Sequence, residues 1–341
     1  MADFSKRIKV QNNLLATTAK SNTIGILAII IVVSLVMSLT QKEFSTAVNF
    51  NVIARSFSVM AIVGLSQMVI LGMGGMNLSV GAIGGLVGVT VGGLMATLNW
   101  PTSLAVMAGL FVGAICGCFN GWFINRVHEP SNRLNVTSFL VTLASASVFT
   151  GINLGMTRAV PIYGLQGSFI NLSRMTIGGI SVLVFIMIPV VFAVAFIMHK
   201  TSIGRQILAV GGNSRAAELS GVSIGKITVV SNIISGILAA IAAIIVLSRL
   251  GSAQPTVGSD WLLFSFAAPL IGGTKLEGGQ VNVSGTILGA VLLALAANSL
   301  VHLEVSVYWV TFVHGLIILV AVGIERIRTI SAAKWGAYTY D

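Results

Sequence analysis

Charged residues are scarce in this sequence. They make up 8% of its 341 residues, whereas soluble domains carry about 25%. Apolar residues reach 55% and the mean hydropathy is +0.97, which indicates an integral membrane protein. The net charge of +10 comes from Lys and Arg that flank apolar runs instead of forming one basic face, so nucleic acid is excluded as a partner.

Residues that could carry catalysis or bind a metal are also few. The two cysteines, Cys116 and Cys118, lie two apart in an apolar run, where a helix points them to different sides, so neither a disulfide nor a metal site is predicted. No pair of the four histidines has metal-ligand spacing, and no serine has a recognisable base and orienting acid, which argues against an intramembrane enzyme. Gly221–Thr228 contains Lys226 but lacks the glycine spacing of a phosphate-binding loop. We therefore expect the chain to bind no cofactor of its own.

Carboxylates are missing from the interior of the apolar runs. All nine Asp and Glu lie outside these runs or at their edges. Proton- and ion-coupled carriers keep such groups at membrane depth because the mechanism uses them, although each costs about 2.5–3.5 kcal/mol on insertion scales. The pattern therefore weighs against an ion-coupled carrier. It leaves a passive facilitator or a transport subunit that takes its energy from a partner protein.

Long apolar segments dominate what is present, and they predict an all-α, polytopic membrane protein with about ten transmembrane helices. The segments are 23–39, 56–73, 80–98, 104–124, 136–155, 175–198, 227–248, 261–273, 281–301 and 305–324. The eighth is too short for a full crossing as a helix, so a half-helix or a broken span is predicted there. We favour a crossing that begins near Ala253.

The distribution of Lys and Arg predicts the orientation. If the N-terminus is cytoplasmic and every segment crosses, all but five of the nineteen face the cytoplasm, as is typical of cytoplasmic loops. The five on the outer side are Lys42, Arg55, Arg158, Arg174 and Arg249. The predicted organisation is a cytoplasmic tail over 1–22, a transmembrane domain over 23–324 and a cytoplasmic tail over 325–341.

A polar, glycine-containing loop at 201–222 separates two long apolar runs. Asn213 or Ser214 is placed to be the N-cap of a short helix over Arg215–Ser220, and Gly221 is placed to stop it. The predicted orientation puts this loop in the cytoplasm. A short helix held against the membrane face suits the docking of another protein.

Small and polar residues interrupt the apolar sequence at Gly74–Ser79. Membrane proteins tolerate such a break where the backbone is buried in protein or lines a wet cavity. Asn77 and Ser79 are candidates for the translocation path of a neutral polar solute, and a tight turn with Asn77 as a helix cap is an equal alternative. Gln67 and Asn120 are further candidates for the path, with hydrogen bonding between helices as the alternative.

Glycine patterns indicate close helix packing and a weak internal repeat. One glycine per turn lies on a single face of the fourth segment, which lets another helix approach closely. These glycines are Gly109, Gly113, Gly117 and Gly121. The sequences GGMNLSVG at 74–81 and GGQVNVSG at 278–285 resemble each other, either as parallel repeats or by chance.

The stretch RLGSAQPTVG at 249–258 should lie at the external mouth of the transmembrane domain. Arg249 and Gln254 are candidates to meet an external partner there. Alternatively, they close a turn around Pro255.

Three parts of the sequence, in this order, resemble the membrane subunit of ribose- and xylose-type ABC sugar importers, and the resemblance covers nearly the whole chain. They are GGMNLSVG at 74–81, GRQILAVGGNSRAAELSGV at 204–222, and RLGSAQPTVG with IGGTKLEGG at 249–258 and 271–279. The resemblance implies the ABC importer permease fold. It also implies three protein partners: a second permease copy, identical or a paralogue; cytoplasmic ATPase subunits, which would bind ATP and Mg; and an external solute-binding protein.

The same resemblance implies a bacterial inner-membrane protein that carries a monosaccharide. A pentose such as ribose or xylose is favoured, with a hexose, an autoinducer-type signal or a nucleoside as alternatives. The implied ATPase-coupling residues are Gly204, Arg205, Gly212, Asn213, Arg215, Ala216, Ala217, Glu218 and Gly221. The chain departs from the family pattern at Asn77, where Asp is more usual, and at the charged Lys275 and Glu277.

We predict that the purified chain alone hydrolyses no ATP, because it lacks a phosphate-binding loop. Phosphate release from a verified single-chain preparation checks this. A Lys226→Ala preparation is the control, since a contaminating ATPase would survive that change. Turnover that disappears with Lys226→Ala would contradict the prediction.

Overall fold

The structure is a computed structural model that describes residues 23–127 and 134–306, together with 309, 312, 313, 315, 316, 319 and 323. The predicted tails over 1–22 and 325–341 lie outside the described residues. Within the described part, seven helices are long and apolar enough to cross a membrane, and two shorter apolar helices accompany them. The all-α polytopic architecture is thereby confirmed. The count of ten crossings stays a prediction.

Each of the first nine predicted apolar segments overlaps one apolar helix, and most of the tenth, 305–324, lies outside the described residues. In chain order they are α1 (Thr23–Thr40), α2 (Ala47–Gly72), α3 (Val80–Ala96), α4 (Thr102–Val127), α5 (Leu134–Thr157), α6 (Gly167–Arg174), α7 (Val182–Lys200), α8 (Ser202–Gly212), α9 (Ser214–Leu219), α10 (Ile224–Leu250), α11 (Trp261–Ile271) and α12 (Val283–His302). A 3-10 helix spans Lys42–Ser45. Strands β1 (Thr176–Ile177) and β2 (Ile180–Ser181) form an antiparallel hairpin in which Ile177 pairs with Ile180.

Helices α2 and α10 form the centre of the bundle. In α2, 72% of the most apolar window is buried, and in α10 the share is 56%, against 11% in α1. Helices α1, α4, α5 and α7 expose large apolar side chains, such as Phe111 and Phe192. Since lipid tails are as apolar as these side chains, such an outer surface suits a bilayer.

The glycine face of α4 packs directly on α10. A Cβ atom at Gly113 would lie 2.6 Å from the Gly236 carbonyl oxygen, and one at Gly121 would lie 2.5 Å from Val229 Cα. At Gly117 it would meet the carbonyl group of Asn232. No other pair of elements among the described residues shares so large a contact. The predicted close packing of this face is confirmed.

The eighth segment contains the short helix α11, of 11 residues, preceded by a non-helical stretch, 252–260. This stretch starts where Ala253 and Ile162 exchange two backbone hydrogen bonds of 2.9 Å, beside Gly92 in the last part of α3. It then runs back along α3 until Gly258 packs on Gly81, close to the start of that helix. Helix α11 therefore begins deep inside the bundle, as expected for a broken span.

The bundle has two distinct ends. The α9 face is the end where α2 finishes and α10 starts, where α8 lies against α2 and α7 and α9 lies against α8 and α10. The opposite face carries α6, the β1–β2 hairpin and the end of α10.

We expect Gly117→Ala to destabilise the bundle, because the added Cβ would overlap the backbone of α10. Overpacking of this kind costs about 1–3 kcal/mol. The matched control is Gly151→Ala in α5, where an added Cβ meets nothing within 4 Å and helix propensity favours Ala by about 1 kcal/mol. Thermal unfolding of both variants in detergent measures the difference. Equal unfolding midpoints would contradict the packing argument.

Candidate functional site

A buried hydrogen-bond network joins the break between α2 and α3 to α4 and α10. The Asn77 side-chain oxygen accepts from the Ser79 hydroxyl (2.7 Å) and from the Ser79 N–H (2.9 Å). The Asn77 amide nitrogen donates to the Ser235 hydroxyl (3.0 Å), and the Asn120 amide nitrogen donates to the Ser79 hydroxyl (2.7 Å). These four residues are fully buried. An Asp at 77 would have no amide hydrogen to donate to Ser235.

Gln67 belongs to the same network. Its side-chain nitrogen donates to the Asn77 carbonyl oxygen (3.0 Å), and its side-chain oxygen accepts from the Asn77 N–H (3.2 Å). The structure thus brings together the four residues proposed for a translocation path. Hydrogen bonds connect them to one another, and their role in translocation stays a prediction.

Two hydroxyl side chains of α5 accept hydrogen bonds from backbone N–H groups of the break between α2 and α3. The Ser138 hydroxyl accepts from the Met76 N–H (2.8 Å), and the Thr142 hydroxyl accepts from the Leu78 N–H (3.0 Å). The sequence reasoning missed these two residues and Ser235. For Ser138 and Thr142 a signal exists, because hydroxyl residues four apart share one face of an apolar helix.

The loop 201–222 contains the predicted short helix. Helix α9 is N-capped by Asn213, whose side-chain oxygen accepts from the Ala216 N–H (2.9 Å). Gly221 lies just beyond its end with a φ of +84°, a conformation that favours glycine. The predicted cap and stop are confirmed, and the helix starts one residue earlier than expected.

The same loop also contains α8, which the sequence reasoning missed. Thr201 caps it by accepting from the Gly204 N–H (3.3 Å), and Ile207 and Val210 are buried beneath it. The apolar residues at 203, 207 and 210 recur at helical spacing, which is the signal that could have predicted it. The 201–222 region is therefore two short helices packed under the bundle.

The implied coupling residues divide into a buried set and an exposed set. Gly204 lies against the backbone of Ile197 and Met198, and Ala217 is buried, so these two hold the helices to the bundle. The others are exposed: Arg205, Gly212, Asn213, Arg215, Ala216, Glu218 and Gly221. Leu219 is beside them and is 77% exposed. The exposed surface of α9 therefore combines charge with an uncovered apolar side chain.

A glycine junction connects α8 to the interior of the bundle. It consists of Gly72, Gly74, Gly211, Gly278 and Gly279. The Gly279 N–H donates to the Gly72 carbonyl oxygen (3.0 Å), a Cβ at Gly211 would lie 2.6 Å from the Gly279 nitrogen, and one at Gly278 would lie 2.6 Å from the Gly74 nitrogen. The two similar sequences at 74–81 and 278–285 therefore meet here, with α8 packed on both.

Arg249 and Gln254 lie in a polar cavity of about 410 Å³. The cavity is half-open and is bordered by the middle of α2, the end of α10, the stretch 252–260 and the start of α11. Its polar lining residues are Ser56, Arg249, Gln254, Thr256 and Asp260. The Arg249 guanidinium donates to the Ser56 hydroxyl (3.3 Å).

Asp260 lies at the edge of an apolar run in the sequence, as expected, but not at an edge of the bundle. It lines the same cavity as Val59 and Met60, the central residues of the 26-residue helix α2, so it lies at the middle depth of the bundle. The reason is that α11 begins inside the bundle, so the start of this apolar run is not at an end of the fold. The expectation that carboxylates are absent from membrane depth stays a prediction.

A larger groove of about 650 Å³ lies on the outer side of α4. It is lined by Trp100, Leu104, Met107, Ala108, Leu110, Phe111 and Ile237. Its lining is almost entirely apolar, so it has few groups that could form hydrogen bonds with a polar solute. The polar cavity is therefore the better candidate for a solute site.

Long apolar helices, buried non-helical breaks and a polar cavity at middle depth define a multi-pass membrane permease. The chain belongs to the family described as the permease component of the branched-chain amino acid transport system, which matches residues 49–322. It is 35% identical to the ribose import permease protein of Haemophilus influenzae over 87% of this chain and 90% of the relative. It is 32% identical to the D-allose transport system permease protein of Escherichia coli K12 (90% and 92%) and 28% identical to the xylose transport system permease protein of H. influenzae (89% and 95%). These findings confirm the resemblance to sugar import permeases.

We expect Ser235→Ala to destabilise the protein, because the buried amide nitrogen of Asn77 loses its hydrogen-bond acceptor. An unsatisfied buried donor costs about 1–3 kcal/mol. Ser147→Ala is the control, since Ser147 bonds only its own helix at an exposed position. The difference in thermal unfolding midpoint in detergent measures the effect. A midpoint for Ser235→Ala that equals the control's would show that the network adds no stability.

Proposed function

We propose that this chain is the transmembrane permease subunit of an ATP-driven ABC importer that carries a monosaccharide from an external binding protein into the cytoplasm. The observation that carries the proposal is its likeness, over 87–90% of the chain, to permeases named for ribose, D-allose and xylose. We favour a pentose such as ribose or xylose. Because D-allose is a hexose, another sugar-like solute is the alternative.

The exposed surface of α9 is the proposed docking site for the ATPase. The Arg215–Glu218 ion pair (2.9 Å) is 73% and 52% exposed, and such pairs contribute little to folding stability. Their charges are thus available to a partner, and the exposed Leu219, the last residue of α9, would add an apolar contact. In this proposal ATP and Mg are bound by the partner, and the permease is a conduit and not a catalyst.

The glycine junction supports a mechanical connection between the docked ATPase and the transport path. Gly211 of α8 contacts Gly72 and Gly279 through backbone atoms, with no side chain between them. Close-packed contacts of this kind transmit displacement because they have little room to compress. Movement of α8 and α9 would therefore displace the end of α2 and the connection between α11 and α12.

The orientation follows from the same docking site. If α9 faces the cytoplasm, the opposite face, with α6 and the hairpin, faces the external binding protein. Both termini would then be cytoplasmic, and the protein would lie in the bacterial inner membrane. A second permease copy, identical or a paralogue, would complete the transport path.

We expect the double substitution Arg205→Glu and Arg215→Glu to uncouple transport, since it reverses two exposed charges on the docking surface. Like charges brought together across an interface cost several kcal/mol, so co-purification of the ATPase should fall about tenfold or more. The control is Arg158→Glu with Arg174→Glu, two charge reversals near the opposite face. Recovery of the ATPase with each tagged permease is the measurement. Unchanged recovery and unchanged sugar uptake in the first variant would sink the docking assignment.

A further inference from the structure

The polar cavity has the position expected of a transport site. Val59 and Met60 line it at the middle of α2. Arg249 and Leu250 line it at the end of α10, on the side of the face that carries α6 and the hairpin. Its volume of about 410 Å³ lies within the range of about 300–1,000 Å³ found for small-molecule sites. Transporters commonly bind solutes near the bilayer midplane, at discontinuous helices. Helix α11, which begins at this cavity, is such a helix.

The polar lining fits a neutral molecule with many hydroxyl groups. Arg249 offers only donors, Asp260 as a carboxylate offers only acceptors, and Gln254 offers both. Ser56 and Thr256 add two hydroxyl groups. A sugar hydroxyl donates and accepts at once, so it can bond to each kind of group. One guanidinium and one carboxylate give the lining no net charge, which favours a neutral solute over an ion.

The apolar part of the lining is aromatic on one side. Phe264 is partly buried, and its ring lines the cavity one turn beyond Trp261. Trp261 is only 5% exposed because its ring fills the space beside Gly84 of α3. A flat apolar wall matches the C–H face of a pyranose or furanose ring, while the polar groups around it bond the hydroxyls.

The backbone fixes the polar groups in place. The Asn153 amide nitrogen donates to the Pro255 carbonyl oxygen (2.7 Å), and the Val257 N–H donates to the Gln254 carbonyl oxygen (3.1 Å). Gly258, with a φ of +86°, packs on Gly81 and turns the chain into α11. The positions of Gln254 and Asp260 are therefore set by the fold rather than by a free loop.

We propose that this cavity binds the transported monosaccharide inside the permease, with Asp260, Gln254 and Arg249 bonding its hydroxyls and Phe264 packing on its ring. The assignment rests on the proposed function, and it adds a solute site within the chain itself. It also gives Asp260 a role other than ion coupling. Arg249 and Gln254 then contact the solute in addition to lying near the external mouth.

The test uses the complete transporter, with the permease, its ATPase and its binding protein, in proteoliposomes. ATP-dependent uptake is measured for radiolabelled D-ribose, D-xylose and D-allose. Asp260→Asn should lower uptake of the transported sugar about tenfold or more, as expected for loss of a hydrogen bond to a charged group. Phe264→Ala should lower it several-fold, and Gln254→Ala should change the ratio of ribose to allose uptake. ATPase recovery should stay at the wild-type value, and uptake is normalised to the amount of folded transporter in each preparation.

Matched controls separate the cavity from general damage. Glu304→Gln removes a carboxylate beyond the end of α12, and Phe192→Ala removes an exposed phenyl ring from α7; neither residue lines the cavity. Both should transport as the wild type does. If Asp260→Asn, Gln254→Ala and Phe264→Ala all keep wild-type uptake and sugar preference, the cavity assignment is overturned while the proposed function stands. If the wild-type transporter takes up none of the three sugars with ATP, the proposed function falls, and this assignment falls with it.

Discussion

Backbone polar groups inside a bilayer have no water to bond, and this constraint governs two non-helical stretches that lie within the bundle, 73–79 and 252–260. Each unsatisfied group there costs several kcal/mol, so such stretches persist only when protein groups satisfy them. Residues 73–79 are satisfied by side chains of α2 and α5, including Gln67, Ser138 and Thr142. The stretch 252–260 is satisfied by Ile162, Asn153 and its own turns. The helices around α3 therefore bury both non-helical stretches.

Glycine makes that burial geometrically possible. The stretch 252–260 can lie on α3 because Gly81 and Gly92 leave room where a Cβ would overlap Gly258 or Ala253. At the α9 face the glycine junction lets three backbone segments touch. The same contacts connect function to structure, since one end of α11 borders the polar cavity and the other leads to the junction with α8. The proposed solute site and the proposed docking surface are thus joined by a single short helix and its connections.

Much of the fold could be predicted because hydropathy and capping are local properties. The helix positions, the cap at Asn213 and the packing face of α4 each follow from residues close together in sequence. The site could be predicted only in part. Asn77, Ser79 and Asn120 stood out as polar residues in apolar sequence, but Ser235, the acceptor for the Asn77 amide, lies more than a hundred residues away, and serines are plentiful in this chain. The position of Asp260 inside the bundle could not be predicted for the same reason, since depth in a folded bundle is not a local property.

The sequence by itself determined that the chain is a helical membrane protein, that its eighth apolar segment is too short for a full helical crossing, and where a short capped helix lies in the 201–222 loop. It could do so because these features depend on composition and on neighbours within a few residues. Only the tertiary structure decided which polar residues meet. It buried Gln67, Asn77, Ser79 and Asn120 against each other and left Arg249, Gln254 and Asp260 around a cavity. Which polar residues are buried together and which line the cavity depends on how α11 enters the bundle. That entry is fixed by backbone contacts between segments far apart in the chain.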